Sequence, residues 1–277
     1  MSTVAVVGLG LMGGSVARAL AAGGARVLGW DRDPAAVRDA LDEGVVHAAL
    51  GAECDGIDTA ELVVLAVPVD AAGDLLARLA PRLGGALLVT DVGSTKASII
   101  RAAEAAGIGD RFVGSHPLAG DHRSGWGASR ADLFDGARAF LSPTATSTDA
   151  ALGHAEALWR ELGATTQRID AAEHDRRLAT TSHLPQLIAT ALAQVLAERG
   201  TARDELGPGG RDMTRLAGSS PEMWTAIAAD NVVPLAEAVA ELEHRLRRIR
   251  EALDASDQDA LRRFFEAGQR WFGKEDG

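Results

Sequence analysis

The 277-residue chain has a single cysteine, Cys54, no tyrosine and only seven histidines, and it sets 28 Lys and Arg against 39 Asp and Glu. One thiol leaves no partner for an intrachain disulfide and no set of cysteines for zinc. A bridge-stapled secreted fold is therefore excluded, no metal is expected, and a reducing cytoplasm fits the composition. The formal charge of −11 repels polyanions, so DNA and RNA are not expected partners, and any anionic substrate must be held by a local basic site. No stretch reaches the ~18 apolar residues of a membrane span. The start, "MSTVAVVGLGLMGGS", lacks the basic n-region of a signal peptide, so neither secretion nor a membrane anchor is expected. What is present, 47% hydrophobic and 24% charged residues, is the balance of a globular chain long enough for one large domain or two modest ones.

The first half alternates short β-branched runs with helical patterns: "VAVVG" before 11–23, "RVLGW" before 34–43, "LVVLAV" before 70–80 and "ALLVTD" before 95–106. Alternation of this kind marks βαβ units, and continuous apolar runs mark strands buried on both faces. The expectation is an α/β fold with a doubly wound, Rossmann-type parallel sheet, extended by "RAFLSP" (138–143) and "TTQRID" (165–170). From 171 onward Ala, Leu, Glu and Arg recur at helical spacing over 171–199, 221–254 and 257–271, with a break at "ELGPGGRD". The expected organisation is a dinucleotide-binding domain over 1–170 and an all-helical domain over 171–277. Pro185 should bend the first of these helices or mark its true start.

"GLGLMG" fits G-x-G-x-x-G between a predicted strand and a predicted helix. In that setting Gly8 permits the tight turn, Gly10 lets a pyrophosphate approach the backbone, and Gly13 lets helix and strand pack closely. The amides of Leu11 and Met12 face the phosphates at the helix N-terminus. Asp31, eighteen residues past Gly13 at the end of the second strand, can accept from the adenosine ribose hydroxyls. The carboxylate favours NAD over NADP, although the neighbouring Arg32 points the other way. Val67 and Pro68, where "LVVLAV" ends, either line the nicotinamide side of the crevice or simply stop the strand.

Two further strand ends reach the same rim. "TDVGSTKASI" turns on Gly93 and offers Ser94 or Thr95 as helix N-cap, which also places Ser94 beside the crevice. "VGSHPLAG" puts His116 there in a turn fixed by proline, where an imidazole has little core to satisfy.

Taken together, "GLGLMGGS", "DVGSTK", "GSHPLAG", "HRSG" with "LF" at 133–134, "EHD" at 173–175, "SHLP" at 182–185 and "RDMTRLAGSSPEMW" at 211–224 resemble the prephenate dehydrogenase family, which includes arogenate dehydrogenases. The resemblance runs in order from residue 3 to about 225. It implies oxidative decarboxylation of prephenate to 4-hydroxyphenylpyruvate in tyrosine biosynthesis, with NAD as hydride acceptor. By position it implies that His116 hydrogen-bonds the ring hydroxyl, Ser94 orients it, His183 meets the substrate, and Arg215 takes a substrate carboxylate. Arg211 is offset by its neighbour Asp212, and His174 in "EHD" reads as a buried structural histidine. The chain departs from the pattern at Gln186, where many members carry histidine, and at Asp121, where threonine is common. Asp121 either reads the ammonium of arogenate or is a surface turn residue.

A β-hydroxyacid dehydrogenase or imine reductase would share the plan but use a lysine in the helical domain, and 171–273 contains none. A non-catalytic dinucleotide-sensing module would make His116, Ser94 and Arg215 incidental. The apolar stripe Leu242, Leu246, Ile249 and Leu253 exceeds what a small domain hides, so a homodimer built on the last helices is expected.

Overall fold

The computed structural model describes residues 2–120 and 123–273. Its chain clusters into two compact units, Met1–Asn231 and Val232–Gly277. The first contains one eight-stranded sheet in the order β3-β2-β1-β4-β5-β6-β7-β8. Its strands are β1 (Thr3–Val7), β2 (Arg26–Trp30), β3 (Ala48–Ala49), β4 (Leu62–Leu65), β5 (Leu88–Asp91), β6 (Phe112–Pro117), β7 (Arg138–Pro143) and β8 (Thr165–Arg168). Helices α1 (Leu11–Ala22), α2 (Pro34–Asp42), α3 (Val69–Leu79), α4 (Ala97–Ala105) and α5 (Asp149–Glu161) connect them. Then follow α6 (Ala171–Leu178), α7 (Leu184–Glu198), α8 (Pro208–Thr214) and α9 (Pro221–Asp230), while α10 (Val232–Asp254) and α11 (Gln258–Phe272) form the second unit.

The apolar runs form the strands because two faces must be filled. Val4, Val6, Val27 and Val64 point into the core shared with α1, and Ala5, Val7, Val63 and Leu65 into the core shared with α3 and α4. The strand order reverses beside β1, with β2 on one side and β4 on the other, and this is where open α/β sheets form a ligand crevice.

Several expectations need correction. The sheet is not wholly parallel: β7 runs antiparallel to β6, pairing His116 with Phe140 and Pro117 with Ala139. His116 therefore sits on a strand and not in a turn, and its backbone is fixed by a ladder. The segment around 205–212 is not simply a break, because Pro208 opens α8, a position where a missing N–H costs nothing. The stretch 221–254 is two helices, interrupted at Asn231 (φ −111°, ψ 37°). Between α6 and α7 the backbone widens into a π-helical turn over Ala179–His183, and Pro185 lies in the first turn of α7, just past it. Such bulges re-aim side chains and recur at functional sites.

Candidate active site

The three glycines of the first βα turn are each used differently. Gly8 has φ 96°, and a Cβ there would lie 2.3 Å from the Ala66 carbonyl oxygen. At Gly13 a Cβ would stand 1.8 Å from the Gly8 oxygen and 2.7 Å from the Ala66 Cβ, so only glycine lets α1 lie against the turn and the end of β4. Gly10 is a contrast: a Cβ there would meet nothing within 4 Å, and φ is −72°. The fold has no need of glycine at position 10, but a phosphate lying on the backbone would. No side chain caps the start of α1, so its first amides, those of Leu11 and Met12 included, are free to take an anion.

Asp31 stands just past β2. Its Oδ2 accepts from Leu9 N at 2.6 Å and its Oδ1 from Asp33 N at 2.8 Å, so the carboxylate is fixed at the glycine turn with further lone pairs to offer. Val67 is half-buried, with its Cγ1 3.4 Å from where a Gly8 Cβ would be, while Pro68 is exposed at the start of α3. The donors and the open backbone fit a dinucleotide, with the pyrophosphate on the amides at Gly10–Met12 and the ribose at Asp31.

The loop after β6 is tied back to α1. Arg130 N donates to Ser15 Oγ at 3.0 Å and Arg18 Nε to Ser129 Oγ at 2.7 Å, while the Arg18 guanidinium lies 4.1 Å over the Trp126 ring. Asp121 lies outside the described residues.

Around His116 the structure assembles groups that lie far apart in sequence. His116 Nδ1 meets His174 Nε2 at 2.9 Å, and His174 Nδ1 meets Asp175 Oδ1 at 2.8 Å. The two Asp175 oxygens also accept from Lys96 N (2.8 Å) and Ala97 N (2.9 Å). Helix α4 is thus capped by a carboxylate from α6, and neither Ser94 nor Thr95 supplies a cap, contrary to the local pattern. The lysine that opens α4 is buried: Lys96 Nζ donates to Asp91 Oδ2, while Asp91 accepts from Ser115 N at 3.0 Å and Gly93 N at 2.7 Å. Both members of this pair are almost completely out of water, where two backbone N–H groups and the ammonium together satisfy the Asp91 carboxylate.

His183 is the last residue of the π turn and is buried. Asn231 Nδ2 lies 2.8 Å from the Asp175 carbonyl oxygen and 3.1 Å from His183 Nδ1. The carbonyl can only accept, so the amide nitrogen donates to both and the His183 proton sits on Nε2. That Nε2 is buried without a partner, as is the nearby Trp224 Nε1, whose indole packs edge-on to the imidazole. An unpaired buried donor costs roughly 1–3 kcal/mol, which an acceptor on a ligand can recover.

Burial holds the His116 imidazolium far below the ordinary histidine range, helped by His174, Lys96 and His183 nearby. Burial also lowers His174, against the opposing pull of Asp175, and it lowers His183 to about 4. All three rings are neutral at neutral pH. His116 is part-exposed and its Nε2 bonds to no described residue.

The other anticipated residues are less closely joined. Ser94 is half-buried in the turn after β5, and its side chain has no hydrogen bond to a described residue. Arg215 is exposed at the end of α8, and among the described residues its side chain has no ion pair and no hydrogen bond to His116, Ser94 or His183. The residues that the sequence reading missed are Lys96, Asp91, Asp175 and Asn231. It also misjudged His174, which is buried as expected but hydrogen-bonded to His116. One signal was available: the chain has only two lysines, so it uses arginine almost everywhere, and a lysine kept at 96 marks a place where a compact point charge fits and a planar fork does not.

A doubly wound sheet with an open glycine turn, a carboxylate fixed beside that turn and a neutral imidazole at the carboxyl ends of the strands fits a dinucleotide-dependent oxidoreductase. Comparison with known proteins agrees and goes further. Residues 16–168 match the prephenate dehydrogenase nucleotide-binding domain, and residues 170–267 match the prephenate dehydrogenase dimerization domain. The cyclohexadienyl dehydrogenase of Zymomonas mobilis is 33% identical over 279 residues, covering 96% of this chain and 94% of the relative. The prephenate dehydrogenase of Bacillus subtilis is 31% identical over 281 residues, covering 96% and 74%. The crystal structure of the Aquifex aeolicus prephenate dehydrogenase in complex with hydroxyphenyl propionate and NAD+ superposes with a TM-score of 0.89 at 29% identity, covering 99% of this chain and 98% of that one. The chain belongs to the prephenate dehydrogenase family, and it is an NAD-dependent oxidoreductase.

Proposed function

We propose that this chain oxidises and decarboxylates prephenate to 4-hydroxyphenylpyruvate, a step of tyrosine biosynthesis, through His116. The observation that carries the reading is a neutral imidazole, anchored through Nδ1 with Nε2 unbonded among the described residues, at the carboxyl rim of a sheet whose glycine turn is open for a dinucleotide. Bound NAD supplies the hydride acceptor. Gly8, Gly10 and Gly13 shape the turn; the Leu11 and Met12 amides hold the pyrophosphate, Asp31 the ribose, and Val67 and Pro68 border the nicotinamide.

As hydride leaves ring C4, the hydroxyl on that carbon becomes acidic, and His116 Nε2 takes its proton while the C–O bond gains double-bond character. The carbon–carboxylate bond at the opposite ring position then breaks. Its electron pair aromatises the ring, carbon dioxide departs, and His116 returns the proton to the phenolate oxygen. A base held neutral at pH 7 is the form this step requires. Ser94 orients the hydroxyl, and His183 Nε2–H donates to a substrate oxygen, which recovers its missing hydrogen bond. Arg215, a planar fork with no ion pair among the described residues, takes a carboxylate on a chain that otherwise repels anions.

Arogenate is the second reading. Gln186, one helical turn past His183, keeps Oε1 buried without a donor, and such an acceptor suits an ammonium; Asp121 is a second acceptor for it. The dimer is proposed on the second unit, where Leu246 and Leu253 are each 58% exposed and Phe265 69%. Among the described residues no helix is long and apolar enough to cross a membrane, and the lone buried thiol of Cys54 suits a reducing cytoplasm. Mixing the protein with NAD and either prephenate or arogenate, and following absorbance of the reduced cofactor, tests the activity. Reduction with prephenate supports the assignment, faster reduction with arogenate favours the second reading, and none with either refutes both.

A further inference from the structure

We infer that His174, held by Asp175, is a positioning residue that fixes His116 in the Nδ1–H tautomer and so keeps Nε2 unprotonated toward the substrate. The inference rests on the reading of His116 as the base, and it concerns which nitrogen of that ring can act.

Asp175 accepts two backbone N–H bonds from the start of α4, which only an acceptor can do, and these bonds with His174 hold its carboxyl below the ordinary range. A carboxylate engaged in this way can only accept from His174 Nδ1, so the proton of His174 is on Nδ1. A neutral His174 then has a bare Nε2. That nitrogen lies 2.9 Å from His116 Nδ1, and one of the two must donate, so His116 carries its proton on Nδ1. The remaining nitrogen, Nε2, is the basic one and is the one without a partner among the described residues.

A neutral imidazole in water keeps its proton on Nε2 in most molecules, where it could not act as a base. The relay reverses that preference. It also receives the charge that develops: once Nε2 is protonated, the imidazolium donates its Nδ1–H to His174, and the polarised His174 Nδ1–H rests against the Asp175 carboxylate. No proton need leave His116.

The rings are not free to drift. His174 is buried, with the Phe140 ring edge-on at 5.6 Å, and Phe140 is the β7 residue that pairs with His116 on β6. Asp175 is tied on three sides, by α4 through its side chain, by His174, and by Asn231 through its carbonyl. The same carboxylate that starts α4 therefore sets the proton of a residue two hydrogen bonds away.

The tautomer can be read directly in the intact protein labelled with [15N]histidine, where the two ring nitrogens of a neutral imidazole have well-separated shifts and only seven rings need assignment. The expected spectrum at neutral pH shows His116 and His174 protonated on Nδ1 and His183 on Nε2. A His116 ring protonated on Nε2 overturns the inference, whatever the protein turns over. In kinetics, His174→Leu removes the acceptor and should move His116 toward the Nε2–H form while lowering kcat at least about tenfold, with NAD affinity unchanged. His174→Gln, whose carboxamide oxygen can accept from His116 Nδ1, should restore most of the loss. Unchanged kcat in His174→Leu overturns the positioning role while leaving His116 as the base. Inactive wild-type protein refutes the parent reading and leaves the tautomer to the spectrum.

Discussion

The glycine turn allows a paired substitution that separates what the fold needs from what the ligand needs. In Gly13→Ala the new Cβ would stand 1.8 Å from the Gly8 oxygen, a contact that no rotamer can relieve because both atoms are backbone or Cβ. Helix α1 must move off the turn, and overpacking of this kind costs about 1–3 kcal/mol. In Gly10→Ala the Cβ meets nothing within 4 Å and the backbone is already in a region any residue adopts. There, the small loss of replacing glycine by alanine at an N-cap is offset by the entropy removed from the unfolded chain, about 0.4–1 kcal/mol. Stability should stay within about 0.5 kcal/mol of wild type, yet the methyl occupies the place where a pyrophosphate lies against the backbone. Denaturant unfolding without cofactor, and NAD titration by fluorescence, read the two effects separately. Gly13→Ala should lose stability, whereas Gly10→Ala should unfold like wild type and bind NAD at least about tenfold more weakly. Normal NAD binding by a stably folded Gly10→Ala would refute the placement of the phosphates.

Arg215→Ala should raise KM for the substrate by roughly 10- to 150-fold, the equivalent of about 1.5–3 kcal/mol for charged hydrogen bonds, with unfolding unchanged because the side chain is exposed and unpaired; an unchanged KM removes it from the site. Acid should destabilise the protein through its buried imidazoles. The folded value of His183, about 4, lies below the roughly 6.5 of an unfolded histidine. The unfolded chain therefore takes up protons first, and stability is intact above about pH 6.5 and falls as pH drops toward 4. At pH 5 this one residue costs about 2 kcal/mol, with His116 and His174 acting in the same direction. His183→Asn, which keeps an acceptor for Asn231, should shrink the fall in unfolding free energy between pH 7 and 5 by that amount. An equal fall in both proteins contradicts the argument.

The sheet and the glycine turn were legible in the sequence because their signals are local. Each buried strand declares itself as a run, and Gly8, Gly10, Gly13 and Asp31 lie within one βαβ unit. The direction of β7 was not legible, since "RAFLSP" has the same texture in either sense and only its pairing with His116 and Pro117 decides. The relay was hidden for a different reason: His116 and His174 are 58 residues apart, Lys96 and Asp175 79. Short-range rules offered Ser94 or Thr95 as the cap of α4, and a carboxylate from another helix supplied it. The π turn that ends on His183 and the interruption at Asn231 leave no mark in helical periodicity, yet His183 and Asn231 lie within hydrogen-bond distance.

Oxidation at ring C4 requires that His116 Nε2 receive the hydroxyl proton. Steady-state turnover of His116→Ala with saturating NAD, alongside its NAD dissociation constant, tests that directly. The expectation is turnover lowered by about 10² to 10⁴ with cofactor affinity nearly unchanged. Turnover at the wild-type rate in a variant that still binds NAD would show that the proton goes elsewhere.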